Sequence, residues 1–275
     1  MNRIDELFQR KNKSILSIYF TAGYPELTDT SLILTGLEKA GADLVEIGFP
    51  FSDPVADGPV IQASSHQALQ NGMNLDILFD QLRDLPETVA MPMIMMGYYN
   101  TVYQYGVEKF IKQCSICRIS GVILPDLPPE VYEREYRPLF ESAGIHFIFL
   151  VAPQTAPERS KYLASLTRGF LYHLSSSSTT GSNIEWEGLN PLPVFSNLPT
   201  LIGFGIHDHD TFEMACRQAN GAIIGTGFIR YLNSVLNQKA TKAITKEARY
   251  QLIHTLCKNF VGQIRSTRKK NHLEI

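Results

Sequence analysis

Short apolar runs recur along this 275-residue chain, and segments with helical periodicity separate most of them. Eight runs have the length and the β-branched or aromatic content of buried strands. These runs are residues 15–20, 44–47, 92–96, 121–124, 146–151, 169–174, 200–202 and 222–224. Segments such as 28–40 and 129–143 place apolar residues three and four apart, which is typical of amphipathic helices. The rhythm predicts an α/β fold, a single (β/α)8 TIM barrel over residues 1–275, with an open doubly wound sheet as the main alternative.

Both the start of the chain and the region after the sixth strand depart from a plain eightfold repeat. The first residues are helical in pattern and predict an extra N-terminal helix. Segment 181–203 is short and contains Pro191 and Pro193, so we expect a shortened region after strand 6 without a full helix. A basic tail from about residue 265 is interpreted as a solvated helix end.

Composition argues against several classes of partner. The net charge is −2 and the pI is about 6.4, so no global field favours nucleic acid or an anionic membrane. No run approaches the roughly 20 apolar residues that span a bilayer, and the first residues do not resemble a signal peptide. We therefore expect a cytoplasmic protein.

Two possible metal or redox motifs have simpler interpretations. The pair Cys114 and Cys117 is interpreted as ordinary reduced side chains, and Asp208 or Asp210 as a helix cap rather than a metal ligand.

Two carboxylates stand eleven positions apart around the end of the second strand. Glu46 closes the apolar run, and Asp57 follows on a loop that Pro50, Pro54 and Gly58 keep irregular. In a barrel, the residues after each strand meet at one rim, where barrel enzymes place their sites. An acid pair there suits proton transfer coupled to bond cleavage or isomerisation. The structural alternatives are a hydrogen-bonded acid at the barrel mouth for Glu46 and a turn residue for Asp57.

Small residues follow the last three strands. They are Thr180-Gly181, Gly203-Phe-Gly205 and Gly225-Thr-Gly227. Because glycine lets the backbone approach an anion closely, this pattern predicts a phosphorylated small molecule as the ligand. No lysine stands at a strand end for Schiff-base chemistry, and no phosphate-loop or dinucleotide motif occurs. We expect no organic cofactor and no metal in this chain.

Residues 44–62, LVEIGFPFSDPVADGPVIQ, resemble the signature of the tryptophan synthase alpha subunit family. Shorter matching stretches occur in the family's order at residues 19–25, 97–100, 124–128, 169–172, 203–206 and 224–226. The resemblance covers essentially the whole chain. It implies a TIM-barrel lyase of tryptophan biosynthesis that cleaves indole-3-glycerol phosphate to indole and glyceraldehyde 3-phosphate by a retro-aldol reaction.

The resemblance also implies a role for individual residues. Glu46 would be the general acid/base that protonates indole C3 and takes the proton of the C3′ hydroxyl, and Asp57 would bind the indole N–H and stabilise the ring cation. Thr21 would support Asp57, and Tyr172 would lie near the glycerol portion, with Thr180 also contacting substrate. The apolar slot for the indole ring would be lined by Tyr19, Met96, Tyr98, Ile123 and Leu150. Phosphate would be bound by Gly181, Gly205, Gly225 and Thr226.

A partner chain is implied as well. Family members pass indole to a beta subunit, which carries pyridoxal phosphate, in an alpha-beta-beta-alpha heterotetramer with substrate channelling and allosteric coupling. The contact residues would be Pro50, Ser52, Asp53, Asn100, Tyr103 and Pro128.

One stretch departs from the family's pattern. Where the family usually reads Gly-Val-Thr-Gly, this chain has Ser178-Thr-Thr-Gly181, and the arginine often found there is absent from residues 175–183. This favours a second hypothesis, a poorly active or inactive alpha-like chain that mainly activates the beta subunit. A third hypothesis is another phosphate-binding barrel, an isomerase or synthase, although such proteins lack the Pro-Phe-Ser-Asp-Pro stretch.

Overall fold

Parallel strands form one sheet, and helices connect and cover them. The structure, a computed structural model, describes residues 1–85, 89–175, 197–236 and 244–266. The strands are β1 Ile15–Thr21, β2 Leu44–Gly48, β3 Met93–Met96, β4 Gly121–Ile123, β5 His146–Phe147, β6 Leu150–Val151, β7 Leu171–Leu174, β8 Thr200–Gly203 and β9 Gly221–Ile224. The helices are α1 Arg3–Arg10, α2 Asp29–Ala40, α3 Pro59–Gln70, α4 Leu75–Arg83, α5 Tyr99–Tyr105, α6 Val107–Ile116, α7 Pro129–Val131, a π-helix Tyr132–Tyr136, α8 Arg137–Ser142, α9 Pro157–Leu166, α10 His209–Gln218, α11 Thr226–Leu236 and α12 Lys246–Arg265.

The fifth strand closes the sheet into a barrel, although it is split into two segments. β5 pairs with β4, and β6 pairs with β7, while only residues 148 and 149 separate β5 from β6. Those two residues continue the ladders, because Ile148 N donates to Val122 O (3.0 Å) and Phe149 O accepts from Tyr172 N (3.3 Å). All eight predicted strands are present in sequential order around the sheet, so the barrel prediction is confirmed and the doubly wound alternative is wrong.

Side chains alternate between the barrel interior and the layer under the helices. On β1, Leu16, Ile18 and Phe20 pack in the outer core, and Ile15 belongs to a separate inner cluster. The buried members of this inner cluster are Ile4, Leu7, Ile15, Leu44, Ile94, Ile123, Ile148, Phe170, Tyr172, Leu201 and Ile223. A packed interior of this kind makes the barrel a core rather than a pore, so a ligand has access only at a mouth.

The extra N-terminal helix is confirmed as α1, and it belongs to the same interior. Ile4 and Leu7 are buried in the inner cluster. Asn2 caps the helix by accepting from Ile4 N (2.8 Å), and its amide donates to Ser120 O and Gly144 O, each at 2.8 Å. These bonds tie α1 to the residues that precede β4 and β5, so the helix covers the end of the barrel where strands begin.

Several local predictions can be compared with the structure. Asp208 caps α10 and accepts from Thr211 N (2.9 Å), which confirms the predicted cap. Cys114 and Cys117 are buried free thiols. Most of the region predicted to be shortened, 176–196, and residues 267–275 of the tail lie outside the described residues. Within the described ranges, no helix is long and apolar enough to cross a membrane, and no group of three His, Cys, Asp or Glu side chains could hold a metal.

A buried ion pair joins the last helix to the second. Arg249 on α12 donates to both carboxylate oxygens of Asp29, the first residue of α2, with Nε 2.6 Å from Oδ1. The Asp29 side chain is fully buried, and that of Arg249 is 14% exposed. A buried charge that has lost its partner still carries the free-energy cost of leaving water. Removing either member of this pair should therefore destabilise the fold.

We expect Asp29→Ala to lower the free energy of unfolding by about 3 kcal/mol or more, because it strands the Arg249 guanidinium in a buried position. Urea denaturation followed by circular dichroism measures this. The control is Glu213→Ala, which breaks the exposed pair of Glu213 and Arg217 and should change the free energy by less than about 0.5 kcal/mol. Equal effects for the two variants would contradict the assignment.

Candidate active site

A cavity of about 490 Å³ opens where the strands end, at the rim opposite α1. This volume is within the roughly 300–1,000 Å³ of small-molecule sites. The predicted residues that line it are Tyr19, Asp57, Met96, Tyr98, Leu150, Tyr172, Gly205, Gly225 and Thr226. They lie on or after β1, β2, β3, β6, β7, β8 and β9, so the acid loop and the glycine-rich loops meet at one cavity.

Some predicted residues lie elsewhere. Ile123 is fully buried in the inner cluster and does not line the cavity, because side chains of adjacent strands fill the barrel interior at that level. The Thr21 hydroxyl bonds the Ser64 hydroxyl (2.7 Å) instead of the predicted partner, Asp57. Ser64 stands on α3, which packs on β1, and the Asp57 carboxylate accepts from Tyr98. Thr180 and Gly181 lie outside the described residues.

Glu46 is fully buried beneath the cavity surface. Ser17 Oγ donates to Glu46 Oε1 (2.9 Å), while Oε2 has no hydrogen-bond partner within the described part of the chain. Burial raises the pKa of Glu46 to about 8, and the Ser17 bond opposes that rise only in part. The cavity-lining phenols Tyr19 and Tyr172 are close enough for the Glu46 charge to raise their pKa. Glu46 is therefore mostly a neutral acid at pH 7, set directly under the lining.

Asp57 is held at the cavity edge by one tyrosine. Tyr98 Oη donates to Asp57 Oδ2 (3.2 Å) and accepts from Ala56 N (3.0 Å), and the Tyr98 ring stacks on Phe51 with centroids 5.0 Å apart. Burial raises the pKa of Asp57 to about 6, and the bond from Tyr98 opposes the rise. Asp57 is thus mostly ionised at pH 7, in contrast to Glu46.

Glycines at strand ends make room for the aromatic side chains of the site. A Cβ atom at Gly48 would collide with the phenol of Tyr19, and one at Gly203 would collide with that of Tyr172. A Cβ at Gly97 would meet the ring of Phe49 in the same way. The rings therefore occupy space that any other residue at those three positions would fill, which explains why these strands end in glycine.

The other end of the cavity is suited to an anion. Gly205 has a φ of +68°, a conformation that favours glycine, and Thr226 begins the eleven-residue helix α11. The first N–H groups of a helix have no partner within it and bind anions. Thr226 Oγ1 is buried and has no hydrogen-bond partner within the described residues. An oxyanion at this point would accept from both the hydroxyl and the backbone.

Sequence reasoning missed several residues of the site. Ser17 donates a hydrogen bond to Glu46. The sequence could have indicated it, because Ser17 is a polar residue two positions after Ile15 on β1 and so faces the barrel interior. The cavity is also lined by Phe51, Gln154, His207 and Arg230. Phe51 lies inside the quoted acid loop, and Arg230 follows Thr226 by four positions on one helix, so spacing could have indicated both.

The predicted partner surface lies on the same rim as the cavity. Ser52, Asp53, Asn100, Tyr103 and Pro128 are exposed. They follow β2, β3 and β4, which are neighbours in the sheet. Pro50 is buried, two residues after the end of β2, so it is not part of this exposed surface. Val55, which was not predicted, is 81% exposed beside this surface.

Comparison with known sequences gives one consistent result. The profile of the family described as tryptophan synthase alpha chain matches residues 6–258. The tryptophan synthase alpha chain of Flavobacterium johnsoniae is 51% identical over 239 residues, which are 85% of this chain and 94% of that protein. That of Bacteroides fragilis strain YCH46 is 44% identical over 253 residues, which are 90% of this chain and 95% of that protein.

Solved structures give the same result. Tryptophan synthase from Mycobacterium tuberculosis matches with a TM-score of 0.82 at 25% identity, covering 96% of this chain and 99% of that chain. The tryptophan synthase alpha chain from Legionella pneumophila matches with a TM-score of 0.80 at 30% identity, covering 96% of this chain and 97% of that chain. The likeness therefore extends over nearly the whole chain.

We expect Tyr98→Phe to raise the pKa of Asp57 further above its usual range, because the variant keeps the buried surroundings and removes the hydroxyl that stabilises the carboxylate. Carboxyl NMR titration of the ligand-free chain measures this pKa. Tyr105→Phe is the control, since the Tyr105 hydroxyl donates to Asp76 on the outer layer. An unchanged Asp57 pKa in Tyr98→Phe would show that the bond does not form in solution.

Proposed function

This chain belongs to the tryptophan synthase alpha chain family, and we propose that it acts as the lyase that cleaves indole-3-glycerol phosphate to indole and glyceraldehyde 3-phosphate. One observation carries the proposal at the level of residues. One cavity is lined by the ionised Asp57 and by Thr226 at the start of an anion-binding helix, and the neutral acid Glu46 is buried beside its lining tyrosines. A phosphate ester with a reacting carbon at its far end suits both features.

Glu46 supplies the proton in the proposed reaction. With a pKa near 8 it is mostly protonated at pH 7, so it is able to protonate indole C3 as a general acid. One hydrogen bond, from Ser17, restrains its carboxyl group, and Oε2 has no competing partner in the described chain. The side chain therefore needs to break only one bond to reach a substrate above it.

Asp57 stabilises the charge that this step creates. Protonation at C3 places a positive charge on the ring system, centred on the indole nitrogen. The ionised Asp57 carboxylate accepts the indole N–H and offsets that charge at a site already shielded from water. Tyr98 holds the carboxylate in place before substrate arrives, so little reorganisation is needed.

Carbon–carbon cleavage then returns Glu46 to its protonated form. The bond between C3 and C3′ breaks, its electron pair returns to the ring and neutralises the cation, and the C3′ hydroxyl becomes an aldehyde. Glu46, now a carboxylate, takes the hydroxyl proton and is ready for another cycle. The proton donated to C3 remains in the indole product. Carboxylates suffice because the protonated ring itself accepts the electrons.

The phosphate and the ring have separate contacts in this proposal. Gly205, Gly225 and Thr226 bind phosphate, together with Gly181 from the sequence prediction. Tyr19, Met96, Tyr98 and Leu150 surround the ring, and Tyr172 lies beside the glycerol portion. Gly181 lies outside the described residues, and the positions of the others around one cavity support these roles.

A beta chain is the general partner of an alpha chain in this family. We propose that this chain forms an alpha-beta-beta-alpha heterotetramer, that pyridoxal phosphate resides in the beta chain and that no cofactor is bound here. Residues 1–275 would form one barrel domain in the cytoplasm. The exposed Tyr103 and Val55, beside the cavity mouth, support docking of the partner where indole leaves.

The alternative of an alpha-like chain that mainly activates the beta subunit is not favoured. It depended on residues 175–183, nearly all of which lie outside the described residues. The chain keeps Glu46 and Asp57, Gly205, Gly225 and Thr226 line the same cavity as Asp57, and the named relatives are alpha chains.

We expect kcat/KM for indole release, assayed with the cognate beta chain, to follow a bell-shaped pH profile. It rises as Asp57 ionises through about pH 6 and falls as Glu46 loses its proton through about pH 8. Glu46→Gln should lower the rate by roughly 100-fold or more, because it removes the acid. Asp57→Asn should lower it similarly and remove the acid limb. The control is Glu108→Gln, on the exposed side of α6.

Each failure has a distinct meaning in this assay. Full turnover in both acid variants would overturn the assigned chemistry. Absence of turnover in the unmodified chain, with serine-plus-indole condensation still stimulated, would replace the lyase by the activator alternative.

We expect Tyr103→Asp to weaken binding to the beta chain by roughly tenfold or more, since aromatic residues commonly dominate interface energies and the variant adds a charge. The measurement is the chain concentration that half-stimulates condensation of serine and indole. Ile116→Asp is the matched control, because Ile116 is also exposed but ends α6 at the opposite face of the barrel. Equal weakening by both variants would place the interface elsewhere.

A further inference from the structure

Charged side chains are segregated within the cavity. Apart from tyrosines, the titratable groups among the described lining residues are Asp57, His207 and Arg230. Asp57 lies at the acid end, with Glu46 beneath it, whereas His207 and Arg230 follow β8 and β9 with the glycines. The two ends of the cavity therefore differ in charge, and a ligand with one anionic end would bind in one orientation.

Arg230 stands one helical turn after Thr226 on α11. Residues four apart lie on one face of a helix, so the side chain of Arg230 and the hydroxyl of Thr226 share the cavity face. Within the described ranges, the side chain of Arg230 makes no hydrogen bond and no ion pair. The other exposed arginine considered above, Arg217 on α10, is paired with Glu213. Arg230 is thus a cation that lines the cavity, and no acid among the described residues pairs with it.

The loops that precede Arg230 on its side of the cavity are closely packed. A Cβ atom at Gly227 would stand 3.1 Å from His207 Cα, so the loops after β8 and β9 are in close contact. His207 Nδ1 donates to Gly205 O (2.8 Å), which orients that ring. Thr226 follows the second of these loops and precedes Arg230 by four positions on α11. Its Oγ1 has no hydrogen-bond partner within the described residues.

We propose that Arg230 is a substrate-binding residue whose guanidinium contacts the phosphate, in addition to the backbone N–H groups and Thr226. The inference rests on the proposed function. A phosphate monoester carries a charge of about −1.5 to −2 at pH 7 and enters a cavity that already contains the Asp57 carboxylate. Neutral N–H donors do not offset that repulsion, whereas a guanidinium does, and its planar fork suits phosphate oxygens.

The contact should act on binding and not on the chemical step. Phosphate is remote from the C3–C3′ bond, so its charge is the same in the ground state and in the transition state. Loss of an interaction of equal strength in both states raises KM and leaves kcat unchanged. This pattern separates Arg230 from Glu46 and Asp57, whose loss lowers kcat.

The test uses glycerol 3-phosphate, which has the phosphate but no indole, titrated calorimetrically into the full chain at low and high salt. Arg230→Gln should weaken binding roughly tenfold at low salt, as expected for a charge-assisted hydrogen bond that is partly exposed. Arg230→Lys should recover much of the loss. Arg217→Gln, an exposed arginine off the cavity, should match the unmodified chain. High salt should weaken binding less in Arg230→Gln than in the unmodified chain.

Two readouts make the result specific. Binding of free indole, which is neutral, should be unchanged in Arg230→Gln, and thermal unfolding without ligand should match the unmodified chain because Arg230 is exposed. Indole-3-glycerol phosphate turnover with the beta chain should show a raised KM and an unchanged kcat.

The outcomes separate this inference from the proposed function. Equal affinity for glycerol 3-phosphate in Arg230→Gln and the unmodified chain would overturn the role of Arg230 and leave the lyase proposal standing. No binding by the unmodified chain at either salt concentration would overturn both the role of Arg230 and the phosphate end of the proposed function. A fall in kcat with KM unchanged would also reject the binding role.

Discussion

Closure of the parallel sheet is the constraint on which the rest of the structure depends. The split fifth strand pairs with β4 through its first half and with β7 through its second half, so the barrel has no open edge. Closure brings the ends of all strands to one rim and seals the other end with α1. Asp57 follows β2 and Thr226 follows β9, which are separated in the sheet only by β1, while Leu150 of β6 and Tyr172 of β7 reach the same cavity because the sheet is closed.

The same closure sets the chemistry of the acids. Glu46 points into an interior that is otherwise apolar, and with one hydrogen bond its pKa rises to about 8. Asp57 lies at the edge, where a phenol supports its charge, and its pKa rises only to about 6. Two carboxyl groups with the same intrinsic chemistry are thereby separated into a proton donor and an anion at neutral pH, which is what the proposed reaction needs.

Strand positions, the N-terminal helix and the Asp208 cap were predictable because each depends on local periodicity and side-chain chemistry within a few residues. The predictions that did not match involve orientation and neighbours. Ile123 is on the predicted strand but is buried in the inner cluster below the cavity. The Thr21 hydroxyl bonds Ser64 on α3 instead of Asp57, and Pro50 is on the acid loop but is buried. Arg230 was overlooked because an arginine four residues into a helix is ordinary unless the cavity it lines is known.

By itself, the amino-acid sequence determined that this chain alternates strands with helices, ends several strands in glycine, places one acid near the end of a strand and another on the loop after it, and resembles a known family. These features depend on residue types and short spacings, which a linear chain already contains. Only the tertiary structure decided which acid is buried, which tyrosine holds the other, and which glycines make room for which rings. Those outcomes depend on burial and on contacts between distant segments, and both exist only after the barrel has closed.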